Sequence, residues 1–182
     1  MVVIVPRLSI VSGGQTGVDR AALDVAMAKR IPYSGWCPRG GAAEDLEDSG
    51  PVLFTKYGLR QTPSDLAEQR TAWNVRDSNA TLLIGGFELS KGTLFTKMCA
   101  ELIFLRPFYV VDLGADDALY LASGWITKQI DGLQVDQFCL NVAGPRESES
   151  NGIYKSAYTF IDKLLDPFSP TTKTKSGRRR SA

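Results

Sequence analysis

The chain has 182 residues, 43% apolar and 23% charged, with a formal net charge of +1, the make-up of one globular domain able to bury a real core. It contains no histidine, and its three cysteines, Cys37, Cys99 and Cys139, form no Cys-x-x-Cys pair. Histidine-based nucleophile systems, imidazole bases and histidine-ligated metals are thereby excluded, no disulfide framework or zinc ribbon is indicated, and no metal site is expected. The start Met1–Ile10 lacks the basic region of a secretory leader, and no apolar run approaches the ~20 residues of a membrane helix. The expectation is a cytoplasmic protein with reduced, buried thiols and no membrane partner.

In chain order, Leu8–Ser12 is a short apolar run ending at glycines and reads as a strand. Val18–Lys29 places Val18, Ala21, Ala22, Val25 and Ala26 on one small-residue face of a helix, which Ile31-Pro32 stops. Tyr33–Cys37 reads as a weak second strand, followed by a charged, glycine-bearing loop over Pro38–Gly50. Thr62-Pro63-Ser64-Asp65 has the form of a helix start, with Thr62 as cap and Pro63 at the first position, for a helix running to about Arg76. Ala80–Ile84 is a strand broken by Gly85-Gly86. Lys91-Gly92-Thr93 then opens a helix over Leu94–Leu105, ended by Arg106-Pro107.

Phe108–Asp112 is the next strand, Asp116–Ile130 a helix and Asp131-Gly132 a turn. Gln137–Val142 is the last strand, Gly144–Gly152 a polar loop and Ile153–Leu165 the closing helix. Strands alternating with helices predict an α/β fold: a Rossmann-like, doubly wound parallel sheet of about five strands with helices on both faces, spanning 1–166. Residues 167–182 hold Lys173, Lys175, Arg178, Arg179 and Arg180 and no acid, and read as a disordered basic tail. Without them the body has 16 basic against 20 acidic residues, which argues against a dedicated nucleic-acid surface.

Glycine loops follow three strands, at Gly13–Gly17, Gly85–Thr93 and Ala143–Ser148. In an open parallel sheet such loops converge on one edge, where helix N-termini offer unpaired N–H groups to an anion. Gly13, Gly14 and Gly17 allow close backbone approach, and Ser12 and Thr16 add hydroxyls. Asp19 either caps its helix or turns toward a ribose-like hydroxyl. Gly-Gly-Gln-Thr-Gly is neither of the common phosphate-loop patterns, and alone it fits a tight turn that binds nothing. Arg70, Asn74 and Asp77 share one helix stripe, which either reaches the site or is a solvated polar face. Arg39, and Arg146 with Glu147 and Ser148, have the same two readings.

Taken together, SGGQTGVDRAALD (12–24), GWCPRG with AED (35–45), RTAWNVRDSNATLLI (70–84), KGTLFT (91–96) and LNVAGPRESESNGIY (140–154) resemble the molybdenum carrier family, the circularly permuted YpsA-like branch of the SLOG superfamily. The resemblance implies a Rossmann-like sheet, self-association as a dimer or tetramer, and a phosphorylated small-molecule partner: a nucleotide, or molybdenum cofactor. It also implies a permutation, since the GPRES segment resembles one that opens unpermuted relatives and here stands last. Carried over, the ligand residues are Gly13, Gly14, Gln15, Thr16, Gly17, Asp19, Arg39, Arg70, Asn74, Gly92, Thr93, Gly144, Arg146, Glu147 and Ser148. Lys91 adds a cation beside them.

The chain departs from the family pattern at Gly41, where an Arg is usual, at Asn79, where an Asp is usual, and at Lys91 in the GGT turn. Relatives that hydrolyse nucleoside monophosphates carry GTxxE, whereas KGTLFT places Thr96 at the glutamate, and a hydroxyl cannot act as a carboxylate does. A non-catalytic carrier of a nucleotide or pterin-type ligand is therefore expected, with no catalytic residue assigned. A phosphoribohydrolase-like enzyme is the alternative.

Overall fold

The apolar runs and their intervening helices assemble in the computed structural model as a parallel α/β fold; it describes residues 7–46, 51–86, 89–133 and 135–170. In chain order the elements are β1 (Arg7–Val11), α1 (Val18–Ala28), β2 (Tyr33–Ser34), β3 (Trp36–Cys37), α2 (Pro51–Thr55), β4 (Arg60–Gln61) and α3 (Ala67–Arg76). There follow β5 (Ala80–Gly85), α4 (Lys91–Met98), β6 (Phe108–Asp112), α5 (Ala118–Gly132), β7 (Gln137–Ala143) and α6 (Ile153–Leu165). The main sheet has the order β2-β1-β7-β5-β6, with every neighbouring pair parallel. Counted from β7, that order is 3-2-1-4-5, the doubly wound arrangement. The last strand in the chain thus occupies the place of a first one, and the permuted motif order has a direct counterpart in space.

Alternation along each strand sends successive side chains to opposite faces. Leu8, Ile10, Leu82, Ile84, Phe138, Leu140 and Val142 share a core with α1, α5 and α6. On the other face lie Ser9, Thr81 and Asn141, also buried. There Val75 of α3 packs with Cys99, Ala100 and the half-buried Phe95 and Phe108. The small face of α1 is fully buried at Ala21, Ala22, Val25 and Ala26, so the helix lies close to the sheet.

The structure differs from the sequence reading in five places. Tyr33–Cys37 is two strands, because at Gly35 the backbone passes so close to β1 that a Cβ would stand 1.9 Å from the Ser12 carbonyl oxygen. Beyond it β3 pairs with β4 in a separate two-stranded parallel sheet, resting on Leu23, Leu53, Tyr57 and Leu59; neither α2 nor β4 was expected. Thr62 is not a helix cap. Its hydroxyl donates to the carbonyls of Cys37 and Ser64, its amide also goes to Cys37, and α3 begins only at Ala67. α4 begins at Lys91, capped by the Ser90 hydroxyl, and passes into a π-helical turn over Cys99–Ile103. α5 starts at Ala118 and continues through the expected turn to Gly132.

After α6 a single 3-10 turn, Asp166–Phe168, brings Phe168 partly buried against the core. The basic segment 171–182 lies outside the described residues. No helix among the described residues is long and apolar enough to cross a membrane.

Candidate functional site

The loops after β1, β5 and β7 leave the same edge of the sheet, and β5 and β7 are the neighbours at which strand order reverses, where such folds open a crevice. A pocket of about 260 Å³ lies there. Gln15 and Asp19 come from the first loop and the start of α1, and Glu68, Arg70 and Thr71 from α3. Ser90, Lys91, Gly92, Phe95 and Thr96 come from the start of α4, and Gly144, Arg146 and Glu149 from the loop after β7.

Arg70 organises this pocket. Its Nη1 donates to Asp19 Oδ2 at 3.0 Å, with the two side chains 14% and 4% exposed. Burial pushes the Asp19 carboxyl above the usual carboxylate range, against the pull of Arg70 and of the Gln15 amide. The Nε of Arg70 is buried without a hydrogen-bond partner among the described residues. An unpaired donor on a buried cation is costly unless something accepts from it. Lys91, Arg146 and the N-terminal turn of α4 bring positive charge to the same pocket, and Glu68 and Glu149 bring negative charge, Glu149 pairing with Arg146 at 3.8 Å.

The glycines of the first and third loops are required by packing inside the protein. A Cβ at Gly13 would stand 2.0 Å from Arg70 Nη1, one at Gly17 2.3 Å from the Pro145 carbonyl oxygen, and one at Gly144 2.3 Å from the Ile84 carbonyl oxygen. Loops one and three therefore touch backbone to backbone, with the Val18 amide donating to the Pro145 carbonyl at 3.3 Å. Gly14 adopts φ +75, and a Cβ there would meet Leu59 and Leu53.

A second cluster latches the outer rim. The Gln15 side-chain oxygen accepts from the amides of Thr16 and Glu44 at 3.0 and 2.9 Å. The Glu44 carboxylate accepts from the hydroxyl of Thr16 and from both the amide and hydroxyl of Ser148. Those donors hold Glu44 below the usual carboxylate range although burial works the other way.

Of the residues singled out from the sequence, the pocket gathers Gln15, Asp19, Arg70, Lys91, Gly92, Gly144 and Arg146. Thr16 and Ser148 belong to the latch. Thr93 is buried at the α4 cap, 3.1 Å from the Ser90 hydroxyl. Asn74 instead clamps β3, accepting from the Trp36 amide at 2.8 Å and donating to its carbonyl at 3.0 Å, while Asp77 accepts from the Trp36 indole at 2.7 Å. Arg39 is exposed and pairs with Asp65. Glu147 caps α6, accepting from the amides of Gly152 and Tyr154.

Glu68, Thr71, Ser90, Phe95 and Glu149 line the pocket but were not singled out from the sequence. Thr71 follows Ala67 at helical spacing on the face of α3 that carries Arg70, a periodicity available in the sequence. Thr96, at the position of the hydrolase-type glutamate, also lines the pocket, and its hydroxyl is spent on the Gly92 carbonyl at 2.9 Å. Among the described residues there is no group of three or more acidic or thiol side chains positioned to hold a metal ion.

A search of curated proteins returns no match. Among solved structures, the chain resembles one titled "Putative molybdenum carrier protein" from Syntrophus aciditrophicus SB, with 35% identity, 88% of this chain and 96% of that chain covered, and a TM-score of 0.76. The family model described as circularly permutated YpsA SLOG matches residues 10–165. That span runs from β1 to the end of α6 and includes every pocket loop, and the 3-2-1-4-5 order counted from β7 is the permutation in structural form: the chain belongs to the circularly permutated YpsA SLOG family.

Proposed function

We propose that this protein is a carrier-like binder of a phosphate-bearing ligand, a nucleotide or a pterin-type cofactor, which it holds at the pocket between its three loops without turnover, and that it self-associates. The observation that carries this reading is Arg70, a buried guanidinium held on Asp19 in the wall of a pocket that Lys91 and Arg146 also line. A phosphate offers acceptor oxygens to Lys91 at the start of α4, beside the pairs that Arg70 makes with Asp19 and Arg146 with Glu149. The Syntrophus protein is named a molybdenum carrier, which supports the pterin-type candidate in its molybdenum-bearing form. Thr96 in place of a carboxylate counts against turnover.

Calorimetry or native mass spectrometry against molybdopterin, adenylates and guanylates tests binding. Lys91→Glu, at an exposed pocket position, is expected to weaken it at least about tenfold; absence of binding to every member of the panel overturns the reading. Steady release of free base from nucleoside monophosphates would replace the carrier with a hydrolase.

A further inference from the structure

We propose that Glu68 selects the ligand by its ring, its carboxylate accepting the paired N–H donors of a 2-amino-4-oxopyrimidine edge. Guanine nucleotides and phosphorylated pterins share that edge, and adenylates lack it. The inference rests on the ligand-binding reading above and narrows it. Six charged side chains line the pocket. Arg70 pairs with Asp19 at 3.0 Å, and Arg146 with Glu149 at 3.8 Å. The side chains of Glu68 and Lys91 have no partner among the described residues, and they do not pair with each other. The pocket therefore offers its occupant one free cation, at the first residue of α4, and one free acid, in the first turn of α3.

An acid suits the start of any helix, and any side of that turn would serve for that purpose. Glu68 stands on the side that faces the pocket, with Thr71 one turn on. A ligand that is only anionic satisfies Lys91 and is repelled by Glu68. The matching molecule carries a phosphate at one end and hydrogen-bond donors at the other. Phe95, one turn on from Lys91, is half-buried toward Val75 of α3 and gives the pocket an aromatic side, which suits a flat ring between the two charges. A carboxylate is an acceptor at both oxygens, so it is satisfied by a ring N–H beside an amino group. Adenine sets a ring nitrogen lone pair beside its amino group, and one carboxylate oxygen then meets another acceptor.

Calorimetric titration of the full chain tests this with GMP, IMP, AMP, 6-hydroxymethylpterin monophosphate and O-phosphoethanolamine, which has a phosphate and an ammonium but no ring. GMP or the pterin phosphate is expected to bind about tenfold or more tighter than AMP, with IMP, which lacks the amino group, between them. The tighter of the first two identifies the source of the edge. Glu68→Gln, at an exposed position, is expected to keep its circular dichroism and its AMP affinity while losing the preference. Lys91→Glu should weaken every ligand alike and leave the preference in place. AMP bound as tightly as both GMP and the pterin phosphate, phosphoethanolamine bound as tightly as either, or a preference that survives Glu68→Gln overturns the role of Glu68 and leaves the ligand-binding reading standing. Absence of binding to the whole set overturns both.

Discussion

The guanidinium of Arg70 lies directly over the backbone of Gly13, so that a methyl group at Gly13 would stand 2.0 Å from Nη1 and 2.8 Å from the Asp19 carboxylate. The loop glycine and the helix arginine are thus one device. Gly13→Ala is expected to displace the guanidinium and weaken its pairing with Asp19, at a cost of about 1–3 kcal/mol. Urea denaturation reads the stability, and phosphate titration of the same variant reads the pocket. If both match the wild type, Arg70 does not depend on Gly13 for its position.

Two other glycines on the pocket separate packing from ligand contact. A Cβ at Gly144 meets the Ile84 carbonyl and Val18 within 2.6 Å, whereas at Gly92 it meets nothing within 4 Å. Gly144→Ala should destabilise by about 2–3 kcal/mol, since backbone on one side and a packed valine on the other have nowhere to go. Gly92→Ala, in the first turn of α4, should be neutral or stabilising by up to about 1 kcal/mol. Thermal melts of the pair check the contrast, and equal shifts would contradict it.

The main sheet and the closing helix were legible because their signals are local: apolar runs bounded by glycine, and a helical period over Ile153–Leu165 that matches α6 end to end. What was illegible depends on contacts distant in sequence. Gly35 breaks its strand because of Ser12, and β4 exists because Trp36 and Cys37 accept Arg60 and Gln61 as neighbours. Thr62 carries every local mark of a helix cap, yet its amide and hydroxyl are both taken by Cys37, 25 residues away. At the pocket the sequence pointed to loops that the structure brings together, but not to the contacts each side chain makes. Arg70 and Asn74, one turn apart, diverge, one to Asp19 and the other to Trp36.

Glu147 illustrates that divergence and can be tested separately. Its carboxylate accepts the Gly152 and Tyr154 amides at the start of α6, where a negative charge also faces the positive end of the helix. Glu147→Ala is expected to cost about 1 kcal/mol of stability, the usual worth of a lost cap, and to leave ligand affinity within a factor of about two. Should affinity collapse while the melting temperature holds, Glu147 is a ligand residue and its capping incidental.

The Glu44 latch gives stability a pH dependence of definite sign. Burial tends to raise its pKa, but the donors on Ser148 and Thr16 prevail and hold it below its usual 4.5. A carboxyl whose pKa is lower folded than unfolded contributes stability that is fully present above the unfolded value and is lost as pH falls through the folded one. Glu44→Gln should therefore be less stable than the wild type at neutral pH, and the gap should close as acidification passes below the ordinary 4.5 and protonates the folded-state carboxyl. Asp19 runs the opposite way: burial raises its pKa, so its contribution is present in acid and lost as pH rises through the folded value. Comparing wild type with Glu44→Gln at each pH cancels the Asp19 dependence they share. Urea midpoints that stay parallel from neutral pH to acid would mean that Thr16 and Ser148 do not hold the charged form of Glu44.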